Sequence, residues 1–246
     1  MADANRAHSR RRVDILRWTA RVGAVTAEAL ADRESATVPA ARARLQAAVR
    51  DDQLSRRAPL ARKPALYTIT RAGMRASGSH GLGPCRVTPA NASHLIACAR
   101  VAAALERCYP DHLVLGEREL RRDERRCGRP LASAILRPDH GRQPLVHRPD
   151  LVLWPRGSRA GLPVAVEVEL TVKSRRRLTG ICLAWARCRC VAGVLYLTAP
   201  GVEGALSRAL AQVDAGERIV AVPLTALPRS AAATPPSIAN AVAGDA

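Results

Sequence analysis

The stretch VAVEVELTVK, residues 164–173, alternates apolar and polar positions without a break. Val164, Val166, Val168, Leu170 and Val172 share one parity, and Ala165, Glu167, Glu169, Thr171 and Lys173 share the other. Successive side chains of a strand point to opposite faces, so this predicts a half-buried strand whose polar face carries two carboxylates and an amine. Helical spacing governs the first part of the chain instead. From Arg11 the pattern turns helical, with Val13, Ile15, Leu16, Thr19 and Val22 and with Trp18, until Gly23 ends it. Thr26 and Thr37 stand where N-caps of two further helices are expected, with Pro39 tolerated in a first turn and Ala41, Leu45, Ala48 and Val49 turned inward.

After Leu54 the basic run SRRAPLARKP precedes a strand, Leu66 to Thr70, and a new helix start. Three helices and a basic hairpin predict a winged helix-turn-helix over residues 11–76, preceded by a basic disordered arm at 1–10. In such a module the third helix enters the major groove and the wing lies along the backbone. The DNA-contacting residues would then be Arg42, Arg44, Arg56, Arg57, Arg62 and Lys63. The same architecture also serves as a protein-docking module. SGSHGLGP falls in a linker at residues 77–88, and the second domain is expected over 89–228. There, residues 90–108 read as a helix, followed by a short strand and a charged segment, GERELRRDERRC. A strand then runs from about Val146 to Trp154, ahead of the alternating strand. A helix with Leu178, Ile181, Cys182 and Trp185 inward, a buried strand AGVLYLT, another helix and a last strand RIVAVPL complete it. That order predicts an α/β (α+β) chain whose second domain is a mixed sheet flanked by helices. Residues 229–246, rich in Ala, Pro and Ser, read as a disordered tail.

Composition narrows the partner. Lys+Arg of 39 against Asp+Glu of 21 leaves +18, which favours a polyanion such as DNA. Coding bias accounts for Arg over Lys, since Lys63 and Lys173 are the sole lysines, but not for the excess of positive charge. No window reaches the ~18 apolar residues of a membrane span, and MADANRAHSRRR lacks a signal core, so a cytoplasmic, nucleoid-associated protein without a membrane partner is expected. Seven scattered Cys fit reduced thiols, and Cys188-Arg-Cys190 lacks zinc-finger spacing.

The chemistry gathers in the second domain. Asp150 opens one strand, and Glu167 and Glu169 share a face of the next, so Asp150 and Glu167 can converge on a hard divalent cation, Mg2+ or Mn2+. Such an ion suits phosphodiester hydrolysis. Lys173 has the parity to add positive charge, although four strand steps span ~13 Å and would carry it past Glu169. Glu117 reads either as a third acid or as a solvated partner of nearby Arg. His147 reads as a phosphate-orienting group or a surface His, and Cys127, Trp154 and Trp185 read as packing residues.

The pattern HRPDLVL followed by VAVEVELTVKS resembles the core of the PD-(D/E)xK, restriction-endonuclease-like nucleases. Asp150 would match the motif Asp and Glu167 the motif acid, while Glu169 stands where the motif carries lysine. With LYTITRAGMRA, the helix bearing His94 and GERELRR, the layout over about residues 10–225 resembles the replication-relaxation family of actinobacterial mobile elements. That resemblance implies a winged helix joined to a nuclease-like domain, acting in plasmid or mobile-element replication or transfer. Asp150 and Glu167 would ligate the metal, Glu169 would assist and Lys173 would stabilise charge, giving a metal-dependent deoxyribonuclease. The alternative is a non-catalytic DNA-binding regulator or replication accessory factor with a vestigial nuclease fold. DNA and a second copy of the chain are the expected partners.

Overall fold

The apolar face that begins the chain forms one long helix, α1 (Ala2–Val22), so the segment expected as a frayed arm is already helical in the computed structural model. Residues 2–137, 145–157, 161–215 and 217–227 are described, and the tail expected at 229–246 lies outside them. Two units partition the chain, Met1–Arg107 and Cys108–Ala246.

In the first unit, α1 leads through β1 (Ala24–Val25) to α2 (Ala27–Glu34) and α3 (Val38–Arg50). Both threonine caps form as expected. Thr26 accepts from Ala29 N and Thr37 from Ala40 N, each satisfying an orphan donor of its first turn. β2 (Leu54–Arg57) and β3 (Leu66–Ile69) then make an antiparallel hairpin, with β1 pairing the far side of β3. Thr70 caps α4 (Arg71–Ser77), accepting from Gly73 N at 3.0 Å while donating to Asp52 O at 2.6 Å. Its own N–H reaches Gln53 O at 3.1 Å. A Cβ at Gly73 would collide with that same carbonyl. The TRAG tetrapeptide is thus a staple holding the start of α4 against the turn between α3 and β2.

Residues 77–88, read as a linker, pack into this unit. Leu82 is buried, and Cys85 and Val87 lie against Ala24, Leu66 and Ala92. The next helix, α5 (Pro89–Cys108), was expected to open the second domain, but most of it clusters with the first. The reason is charge as well as packing. Arg33 on α2 is held by Asp14 on α1 and Glu106 on α5, each at 2.6 Å, and lies over the Trp18 ring.

The second unit is built on a five-stranded mixed sheet, in the order β10-β9-β8-β7-β4. β7 (Leu151–Pro155) runs antiparallel to both of its neighbours, β4 (His112–Gly116) and β8 (Val164–Glu169). β9 (Gly193–Thr198) and β10 (Ile219–Pro223) continue the sheet parallel to β8. The crossovers are α7 (Arg175–Arg187) and α8 (Glu203–Val213). Between β4 and β7 come α6 (Glu117–Cys127) and a small hairpin, β5 (Ala134–Arg137) with β6 (Leu145–His147). One core spans Leu115, Leu120, Val152, Leu178, Trp185 and Tyr196, so α6 and α7 both close on the sheet.

Two expectations change here. The single strand expected over Val146–Trp154 is two, interrupted at Arg148–Asp150. Pro149 there has no N–H for a ladder, and the side chain of Asp150 bonds to the neighbouring strand instead. The alternating strand is not half-exposed either. β8 lies between β7 and β9 and all six of its residues are buried. It also ends at Glu169, so Leu170–Lys173 leave the sheet.

Candidate active site in the second unit

Glu167 and Glu169 are 4% and 5% exposed, on a central strand, where an unpaired carboxylate would cost several kcal/mol. Each has a built environment. Glu167 Oε1 lies 2.7 Å from His147 Nε2, and because a carboxylate only accepts, the ring donates. Trp185 Nε1 donates to the same oxygen at 3.0 Å. His147 comes from the end of β6 and Trp185 from α7, and their rings meet edge to face at 5.8 Å. His147 is therefore no surface histidine, and Trp185 does more than pack. Neither role was legible from spacing, because each depends on which elements the sheet brings together.

Asp150 stands at the head of β7, where its Oδ2 accepts Val168 N–H at 2.8 Å, which places its carboxylate against the strand that carries both glutamates. Its carbonyl accepts Glu117 N–H at 3.1 Å, tying it to the end of β4. Upstream, Arg148 donates to the buried Glu124 at 2.9 Å, and Glu124 also caps Leu131 N at 3.0 Å. Glu124 thus anchors the Arg148–Asp150 segment to α6, a part the sequence did not reveal. Glu117 itself turns outward and pairs with Arg121.

Lys173 is the largest revision. Extended spacing would carry it beyond Glu169, but the chain folds back after β8 and Lys173 Nζ donates to Glu169 Oε2. Burial pulls the ammonium pKa down, and the charges of Glu167 and Asp150 pull it back up. The same acids act on the neighbouring side chains. Burial and then the charge of Glu167 push the Cys182 thiol up to about 11, and Tyr196 well above its ordinary value. Asp150, Glu167, Glu169 and Lys173 therefore converge on one end of the sheet. Lys173 also lines a groove of about 530 Å³ between α7 and α8, together with Arg175 and Arg208.

In the first unit the basic residues separate into two groups. Arg42, Arg56, Arg62 and Lys63 line one groove of about 480 Å³, with Glu28 the acid among them. Arg44 lies elsewhere and pairs with Glu34. Two residues on a helix differ by about 200° in direction, so Arg42 and Arg44 cannot share a face. Arg57 is exposed on β2, next to Arg56 and of opposite parity. A second basic groove, about 650 Å³, lies in the other unit between α6 and β6, with Arg121, Arg125, Arg129 and Arg148. Among the described residues, no helix is long and apolar enough to cross a membrane.

These carboxylates, the lysine and the basic grooves belong to a mixed α/β chain that matches no family model, no curated protein and no solved structure with which it was compared.

Proposed function

We propose that the chain is a DNA-binding protein with a Mg2+-dependent endonuclease site, acting in plasmid or mobile-element replication or transfer. On this reading the first unit is a winged helix-turn-helix and the second a restriction-endonuclease-like domain. One observation carries it. Two glutamates are buried on a central strand, Asp150 is bonded to that strand, and Lys173 is folded back onto it. A sheet centre made only for stability would hold apolar side chains there, since buried charge is retained at a cost in folding free energy.

The donors present fit a hard cation. Asp150 and Glu167 offer oxygen only, and one oxygen of each is held, Asp150 Oδ2 by Val168 N–H and Glu167 Oε1 by His147 and Trp185. Asp150 and Glu167 would hold Mg2+ or Mn2+, which when bound polarises a phosphoryl oxygen and acidifies a water. On this reading Glu169 would take a proton from the attacking water, and Lys173 would balance charge on the phosphate as it builds. In the first unit, α2–α3 followed by the β2–β3 hairpin supports a recognition helix and wing. Arg42, Arg56, Arg62 and Lys63 then face the phosphate backbone. The test is plasmid nicking with Mg2+ or Mn2+, which Asp150→Ala should abolish with the circular dichroism spectrum unchanged. Undiminished cutting by that variant would overturn the assignment.

A second reading, a metal-free DNA-binding regulator, is favoured by the internal pairing of the acids: His147 and Trp185 on Glu167, and Lys173 on Glu169. Calorimetric titration of Mn2+ separates the two. The nuclease binds the ion and Glu167→Gln weakens it, whereas the regulator takes up no heat in either form.

A further inference from the structure

The end of α7 presents two thiols to each other. Cys188 caps the helix in an extended conformation, φ −72° and ψ 121°, and its Sγ lies 3.1 Å from that of Cys190. A disulfide bond is about 2.04 Å long, so the pair needs to close by about 1 Å. Both sulfurs also point at one acceptor, the carbonyl of Ser133, at 3.8 Å from Cys188 and 3.6 Å from Cys190. The backbone around them is clamped, because Arg218 donates to Cys188 O at 2.7 Å and to Val191 O at 2.9 Å. The thiols are therefore not two residues that happen to be near on a loose loop. They are aligned by a shared carbonyl and a guanidinium that holds both sides of the turn.

We infer that Cys188 and Cys190 form a reversible intramolecular disulfide by exchange with a small-molecule disulfide. Cys188 attacks one sulfur of the oxidant, forming a mixed disulfide and releasing one equivalent of its thiol. Cys190 then loses its proton to solvent and attacks Cys188 Sγ, and the second thiol leaves. Two protein thiols are oxidised, one external disulfide is reduced to two thiols, and no other reactant is needed. The geometry is supported by the electrostatics. The hydrogen bond from Cys190 draws the Cys188 thiol down to about 7, against the upward push of burial, while Cys190 is displaced upward as the donor. Cys182, six residues earlier on α7, is displaced the other way, to about 11, and is no competitor. The pair lies outside the acid site, and its oxidation does not rest on the nuclease reading.

The experiment treats the folded full-length chain with oxidised glutathione, quenches with acid, alkylates, and reads the intact mass and fragment spectra. The expected product has lost two hydrogens, with Cys188 linked to Cys190 and the remaining thiols alkylated, and dithiothreitol reverses it. Cys190→Ser should stop at a glutathione adduct on Cys188, since nothing is left to displace it. A wild-type chain whose Cys188 and Cys190 both stay alkylatable overturns the inference. So does one that accumulates a lasting glutathione adduct, or a link from either residue to another cysteine.

Discussion

Trp185 Nε1 donates to Glu167 Oε1 across 3.0 Å, from a ring that is fully buried. The bond joins the crossover helix to the central strand and leaves His147 as the second donor to the same oxygen. Replacing the indole by phenyl keeps most of the packing and removes the donor. Trp185→Phe should therefore lower stability by about 1–3 kcal/mol, the usual cost of stripping one partner from a buried polar group. Urea unfolding measures this. A loss no larger than that of a surface substitution would show that the bond contributes little.

Lys173→Met should leave Glu169 buried without its amine. On the nuclease reading, cleavage falls by at least tenfold, and Lys173→Arg restores little of it, because a planar fork does not replace a compact ammonium. Single-turnover cleavage on one plasmid substrate compares the three proteins.

The two basic groups of the first unit make opposite predictions. On the DNA-binding reading, Arg62→Ala, in the groove with Arg42 and Lys63, should weaken binding to duplex DNA and reduce the slope of log affinity against log salt by about 1. Arg44→Ala, whose side chain is committed to Glu34, should leave the slope unchanged. Fluorescence anisotropy across a salt series reads both.

Gly73→Ala tests the staple between α4 and the α3–β2 turn. The added methyl meets Gln53 O and the Ile69 side chain, so the backbone must move. A loss of about 1–3 kcal/mol is expected from overpacking. Differential scanning calorimetry should register it as a lowered melting temperature of the first unit.

Cys188 supplies a pH signature. Its thiol is drawn down to about 7, so the thiolate accumulates as pH rises through that value, and iodoacetamide alkylation should climb over the same window. Cys190→Ala removes the hydrogen bond, and the inflection should then move up toward the ordinary thiol value of about 8.5.

Much of the fold can be read from apolar spacing because the helices and strands carry it on their own residues. The caps at Thr26 and Thr37, the inward face of α7 and the buried strand β9 are local properties. Asp150, Glu167 and Glu169 stood out for the same reason, as acids at the head or along one face of neighbouring strands. What stayed hidden depends on partners remote in sequence. Alternation made β8 look half-exposed, because period two says that the faces differ and not that one of them is wet. Lys173 seemed out of reach because the strand was assumed to persist past Glu169. His147, Trp185 and Glu124 gained their roles from segments 20, 18 and 24 residues away. α5 joined the first unit through Arg33–Glu106, a pair separated by 73 residues.

The central position of β8 also bears on the order in which the molecule assembles. Glu167 takes its donors from β6, before it in the chain, and from α7, after it. A nascent chain that has paired β7 with β8 but has not yet docked α7 still needs water around that carboxylate. The set of donors to Glu167 is complete only when α7 has docked against β8. Until then the same charges keep the unfinished strand hydrated and make it a poor template for pairing with another chain.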